Sequence, residues 1–269
     1  MRVGVISGYG LLPVLSVKAL KEKGAYVAAF ALKEGCNHVD NIENHADVVY
    51  RISAGQVGKV LKLIEKERLS HIILVGKIEI NILEKGLQLD LKALWMLTKL
   101  KFRSTDTISL AIISELKKGG LKILSQKEVL KSYILPTGEY SKKKPSDNIK
   151  KDMEFGFAVA KEIGRIDLGQ SVVVEKGKVM AVESAEGTDA TFARGCALSS
   201  GSAVAVKVAK PFQYEHFDLP VVGIDTLKSV AENGGTALAF EADETIIIDM
   251  DACIEYADEH SIIFCGIKF

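Results

Sequence analysis

The chain has no excess of either charge: its 35 lysines and arginines balance 35 aspartates and glutamates. Without a net field it recruits neither nucleic acid nor an anionic membrane globally, so any anionic ligand is held by local groups. The four cysteines, Cys36, Cys196, Cys253 and Cys265, form no CxxC pair, and the five histidines form no HxxxH or HxH set. Zinc and iron-sulfur centres are thereby excluded, and a reduced cytoplasmic protein is expected. No apolar run approaches the ~20 residues of a membrane span. The first residues enter a strand and a glycine turn without the apolar core of a signal peptide. There is no GxSxG to suggest a serine hydrolase, and no internal repeat.

What is present is alternation of strands and helices. At 269 residues the chain suits two domains, each able to bury a core. Apolar strands at 3–6, 26–30, 48–50 and 72–75 alternate with helices such as 11–23, which predicts a Rossmann-like parallel sheet covered on both faces. Residues 87–130 read as mostly helical. We expect an α/β protein with an N-terminal domain at 1–135, a punctuated linker at 136–147 and a C-terminal mixed α/β domain at 148–269, with a cleft between the domains. In the second domain a helix to Ile163 precedes a hairpin turning at Lys176-Gly177. The basic triplet Lys142-Lys143-Lys144 reads as solvated charge.

Gly8-Tyr9-Gly10-Leu11-Leu12-Pro13 follows the first strand and opens a helix, where backbone amides and the helix dipole face a ligand. Gly8, Gly10 and Leu11 are therefore candidate phosphate or sugar contacts; the plainer reading is a turn that serves only the fold. Pro13 stands where the third glycine of a dinucleotide fingerprint belongs, and no acid ends the second strand at Phe30, so NAD is weakly supported. Gly55-Gln56-Val57-Gly58-Lys59 follows the third strand and Gly76-Lys77 the fourth. Gln56, Gly58, Lys59, Gly76 and Lys77 thus belong to the same carboxyl edge and join the candidate ligand crevice.

The second half carries Glu186-Gly187-Thr188-Asp189, Val206-Lys207-Val208-Ala209-Lys210-Pro211, Phe217-Asp218-Leu219-Pro220 and Gly223-Ile224-Asp225-Thr226. Carboxylates and lysines punctuated by glycine and proline suit a divalent ion and a phosphorylated ligand. Hard oxygen donors fit Mg²⁺ or Mn²⁺, which takes one or two carboxylates plus substrate phosphate. Against this, Thr188, Asp189 and Asp225 also read as ordinary helix caps. His216 is a candidate general acid or base, with packing or surface as its plainer reading. The stripe Leu91, Leu94, Trp95 and Thr98, near Lys92, Lys99, Lys101 and Arg103, reads first as core or dimer interface and second as a lipid-facing helix.

In this order, the segments from Gly8 to Pro13, Gly55 to Lys59, Asp167 to Gln170, Glu186 to Ala190, Val206 to Pro211, Phe217 to Pro220 and Asp225-Thr226 resemble the I-type UDP-2,3-diacylglucosamine pyrophosphatases. The resemblance spans nearly the whole chain. It implies a cytoplasmic enzyme of lipid A synthesis that splits UDP-2,3-diacylglucosamine into UMP and 2,3-diacylglucosamine 1-phosphate with a divalent metal, and an essential aspartate at Asp225. Ser104-Thr105-Asp106 departs from a common Gly-Asp-Asp of that family, and Tyr214 and His216 from its aspartate and arginine. The mechanism expected has Mg²⁺ or Mn²⁺ on Asp225 and Asp189, water attacking the α-phosphorus, Lys207 and Lys210 neutralising charge, and Thr188 contacting substrate. The lipid-linked UDP-sugar is the expected partner, with no nucleic acid; transient contact with the inner-membrane surface and a homodimer stay open. The alternatives are a nucleotide-sugar or lipid-phosphate binding regulator without hydrolysis and, behind it, an NAD-dependent oxidoreductase.

Overall fold

The computed structural model describes residues 1–77, 89–99, 105–211 and 219–269, which form two compact units, the first being Met1–Leu130 and the second beginning at Lys131. In the first unit β1 (Arg2–Ser7), α1 (Leu12–Glu22), β2 (Tyr26–Leu32), α2 (Val39–Glu43), β3 (Val48–Ile52), α3 (Val57–Lys66) and β4 (His71–Val75) alternate. Helices α4 (Leu91–Thr98) and α5 (Thr105–Lys118), strand β5 (Lys122–Ile123) and α6 (Gln126–Val129) complete it. The sheet runs β3-β2-β1-β4-β5, parallel throughout. Strand residues alternate between its faces. Ile6, Ala28, Phe30, Leu32, Ile72 and Leu74 meet α3 and α5 through Ile64, Ile113 and Leu116, while α1 packs on β1, β2 and β4.

Strand order reverses between β1 and β4, the point at which a doubly wound sheet offers a crevice at its carboxyl edge. Here that point is closed by backbone. The Gly8 amide donates to the Val75 carbonyl at 2.8 Å, and Tyr9 and Lys77 exchange amide bonds of 2.8 and 3.0 Å. A Cβ on Gly8 would lie 2.6 Å from the Lys77 carbonyl oxygen, and one on Gly76, whose φ is +87°, 2.7 Å from that of Tyr9. Both positions therefore require glycine for close approach and Gly76 also for its left-handed backbone.

The second unit is built on a mixed sheet. Its strands are β6 (Gly138–Glu139), β7 (Ser171–Glu175), β8 (Lys178–Val182), β9 (Ala203–Lys207), β11 (Gly235–Glu241) and β13 (Ile263–Ile267), in the order β6-β13-β11-β9-β7-β8. β9, β11 and β13 are parallel; β6, β7 and β8 are antiparallel to their neighbours. Helix α7 (Asp147–Arg165) covers one face through Met153, Phe157 and Ala160 against Val172, Val174, Val204 and Val206. Helices α8 (Thr188–Ala197), α9 (Ile224–Ala231) and α10 (Met250–Glu259) cover the other, with Phe192, Leu227 and Cys253 against Val173, Ala205 and Phe240. A short pair, β10 (Val221–Val222) and β12 (Ile246–Ile247), lies outside the main sheet.

The hairpin turns at Lys176 and Gly177, with φ of 50° and 71°, the left-handed pair that a tight β-turn requires. Asp152 on α7 fixes it by accepting from both turn amides at 2.7 Å. The expected linker is different: Gly138–Glu139 pairs with β13, so 136–147 contains an edge strand of the second unit. A two-residue strand amid turn residues has no periodicity to reveal it. Of the reading of the stripe as core or dimer interface, the core half is corrected. Leu91, Leu94 and Trp95 are exposed, and α4 packs inward by Ala93 and Met96.

Candidate active site

Each helix of the α8–α9 layer runs back into a parallel strand, α8 into β9 and α9 into β11. The N-termini of both helices thus lie at the carboxyl edge of those strands, where Lys207 ends β9 and Glu241 ends β11. Asp189 and Asp225 fall in the first turns of α8 and α9, after Gly187 and Gly223 at the capping positions. Neither aspartate is therefore the cap that the sequence allowed. Asp225 is 87% exposed at its side chain, 3.9 Å from Lys228 Nζ, and Asp189 is exposed as well.

Lys207 is buried, unusual for an ammonium, and its Nζ donates to the Val221 carbonyl at 2.9 Å. Across the ladder it pairs with Ser171. Ser171 Oγ lies 3.2 Å from Thr188 Oγ1, and Thr188 donates to Glu183 Oε1 at 3.0 Å. The buried Glu183 also accepts from the Gln170 backbone amide at 3.0 Å, while Gln170 Oε1 is buried with no hydrogen-bond partner among the described residues. Thr188 is thus brought beside the Lys207 strand end. Lys210 reaches Asp167 at 2.7 Å. Glu241 Oε2 accepts from the Ala209 amide at 2.7 Å and from Lys161 Nζ at 2.6 Å, tying the segment between the two lysines to the end of β11. Glu186 pairs with Arg194 at 2.6 Å; its own amide and then this guanidinium hold its carboxyl below the ordinary value.

The edge of the first unit is more occupied than its glycines suggest. The Gly10 amide, at φ +97°, donates to Asn37 Oδ1 at 2.9 Å, and Leu11 caps α1 without a side-chain bond. The Gly58 and Lys59 amides donate to Asp90 Oδ2 at 2.7 and 3.4 Å, and Gln56 Oε1 accepts from the Ser53 amide at 3.1 Å. The helix start expected to cradle phosphate is therefore filled by a carboxylate of the chain itself. Gly8 and Gly76 are engaged with each other, while the side chain of Lys77 is exposed.

Sequence reasoning missed Asp90, Glu183, Glu241 and Glu34. Of these, only Glu34 had a local signal. β2 extends to Leu32 rather than ending at Phe30, so an acid does follow the second strand. Its carboxylate binds Ser53 Oγ and the Ala54 amide. His216, Asp218 and Tyr214 lie outside the described residues, as does the side chain of Asp106. Among the described residues no three His, Cys, Asp or Glu side chains form a metal cage, and no helix is long and apolar enough to cross a membrane.

Comparison with known proteins bears on both units. The family model described as LpxI N-terminal domain matches residues 2–133, and that described as LpxI C-terminal domain matches 136–265. The chain belongs to the LpxI family. A relative from Caulobacter vibrioides, named UDP-2,3-diacylglucosamine pyrophosphatase LpxI, is 30% identical over 99% of this chain and 97% of its own. Two of the solved structures that this LpxI-family chain resembles are more distant than that relative. UDP-glucose 4-epimerase from Thermotoga maritima is 20% identical with a TM-score of 0.31, over 45% of this chain and 35% of that one. Phosphoribosylglycinamide synthetase from Anaerococcus prevotii is 13% identical with a TM-score of 0.29, over 74% and 43%. The chain spans less than half the length of either.

Proposed function

We propose that this chain hydrolyses the pyrophosphate bond of UDP-2,3-diacylglucosamine in lipid A synthesis, releasing UMP and 2,3-diacylglucosamine 1-phosphate. The observation that carries the reading is its end-to-end similarity to a relative of that name. The carboxyl edge of β9 and β11 supports it chemically. There two exposed aspartates, Asp189 and Asp225, share an edge with Lys207 and Lys210. The lysines neutralise charge developing on the phosphoryl oxygens, Thr188 orients substrate, and water attacks the α-phosphorus in line. In the first unit, Leu11 and the exposed Lys77 remain open to the substrate, whereas the Gly10 amide is taken by Asn37. The lipid-linked substrate brings the chain to the cytoplasmic surface of the inner membrane.

The donor set fits Mg²⁺ or Mn²⁺. Exposed carboxylates without a closed cage suit ions that use one or two protein carboxylates and complete their shell with water and phosphate. Asp225 and Asp189 would hold the ion, which supplies Lewis-acid polarisation of phosphoryl oxygens when bound.

The decisive measurement is UMP release from UDP-2,3-diacylglucosamine with and without Mg²⁺ or Mn²⁺. Asp225→Ala should abolish release while substrate binding and folding persist, because the side chain is mostly solvent-exposed. Binding without release by the parent chain would identify a regulator instead. In ¹⁸O water the label should enter UMP; label in the lipid phosphate would overturn α-attack.

A further inference from the structure

Helix α4 presents its most apolar side outward. Ala93 and Met96 are buried, whereas Leu91, Leu94 and Trp95 are 87%, 51% and 45% exposed. A surface helix ordinarily turns such residues to the core and polar ones to water. Spaced three and four positions apart, these side chains form one patch, and Leu89, also exposed, lies just before it. Two lysines rim it: Lys99 Nζ lies 3.6 Å and Lys92 Nζ 5.0 Å from the Trp95 ring centroid. Two neighbouring acids are already engaged, Asp90 on the amides of Gly58 and Ala93 and Glu115 on Lys92 at 2.5 Å.

We propose that this face of α4 docks on an anionic lipid surface. Leu91, Leu94 and Trp95 enter the boundary between headgroups and acyl chains, and Lys99 meets lipid phosphates. An apolar patch with an amphipathic indole and a basic rim is the chemistry of interfacial binding. A second copy seated on the same face is disfavoured because a two-fold contact would put a rim of the same basic sign on both sides of it. The inference deepens the proposed function, on whose lipid-linked substrate its purpose rests.

Trp95 is the single tryptophan of the chain, so its emission reports this patch alone. The full chain is titrated with vesicles of phosphatidylcholine mixed with phosphatidylglycerol. A blue shift is expected, quenched by brominated acyl chains and absent with pure phosphatidylcholine. Lys99→Gln should weaken binding about fivefold. The double substitution Leu91→Ser/Leu94→Ser should abolish it with an unchanged melting temperature, since both side chains are exposed. Failure to shift with anionic vesicles, or equal binding to neutral ones, overturns the proposal. A lipid-independent shift that follows protein concentration, with a doubled sedimenting mass, also overturns it in favour of a second copy. Detergent-dispersed substrate separates the two readings. Normal turnover there by the double variant, with slowed turnover on vesicles, supports docking. No turnover by the parent chain in either form refutes the enzymatic reading and leaves the vesicle result standing.

Discussion

One oxygen of Asp90 accepts a 2.7 Å bond from the Gly58 amide at the start of α3, and the other a 2.9 Å bond from the Ala93 amide at the start of α4. A single carboxylate thus closes two helix N-termini, where its charge meets two positive dipole ends. Asp90→Ala should cost about 2 kcal/mol, from a lost cap and lost charge at both sites. It also bares the Gly58 and Lys59 amides to anions. Thermal melts with and without inorganic phosphate should show phosphate stabilising the variant and not the parent; two melts indifferent to phosphate would argue against an anion site here.

Closure at the β1–β4 switch point is tested by two glycines. Gly76→Ala combines left-handed backbone strain with a Cβ placed 2.7 Å from the Tyr9 oxygen, so a loss of about 3 kcal/mol is expected. Gly10→Ala adds a Cβ in open space at φ +97° and should cost only about 1 kcal/mol. Equal losses in urea denaturation would mean that close approach at Gly76 contributes little.

Glu241 positions the segment between Lys207 and Lys210 without needing to touch substrate. Glu241→Gln removes the charge partner of Lys161 and exchanges one acceptor oxygen for a donor, with an expected cost of about 2 kcal/mol. If the lysines act on the phosphates, turnover should fall further than stability alone explains. Comparing turnover well below the melting temperature with Lys161→Met separates the effects: parallel losses in both variants indicate positioning, whereas unchanged turnover in both refutes it.

Acid sensitivity should concentrate at Glu175. Its buried carboxylate accepts from the amides and hydroxyls of Ser200 and Ser202 at 2.8–3.0 Å. The Ser200 amide foremost, with the Ser202 groups and the Ser200 hydroxyl, pulls its pKa from 4.5 to about 2 against the effect of burial. Because the folded-state value is the lower one, the stabilisation is present above the ordinary value and is lost as pH falls from about 5 towards 2. It amounts to at most about 3 kcal/mol. Denaturant unfolding across that range should show a steep loss that Glu175→Gln flattens; identical slopes would place the acid sensitivity elsewhere.

The parallel core was legible because every strand expected at 3–6, 26–30, 48–50 and 72–75 is an apolar run between turn residues, and each lies inside an observed strand. The Lys176-Gly177 turn was legible for the same local reason. Asp189, Asp225, Lys207 and Lys210 were found as motifs, but their neighbours were not. Lys161 and Glu241 meet across 80 residues of chain, and Gly58 and Asp90 across 32, so no local spacing encodes either contact. Helix α4 misled because periodicity identifies a stripe but not which way the stripe faces. Its orientation is set by Asp90 and by the packing of Ala93 and Met96.

The bonds from Asp152 to the turn amides of Lys176 and Gly177 span only 24 and 25 residues, whereas the Ser141 bond to the Phe264 amide spans 123. The consequence is an order of events. Joining α7 to its hairpin closes a short loop at small entropic cost, so this piece can form while the β6 edge is still remote from β13. Pulsed hydrogen exchange during refolding should therefore protect the amides of β7 and β8 before those of Tyr140 and Phe264, which join the β6 edge to β13. Simultaneous protection would show that the second unit instead condenses in one step.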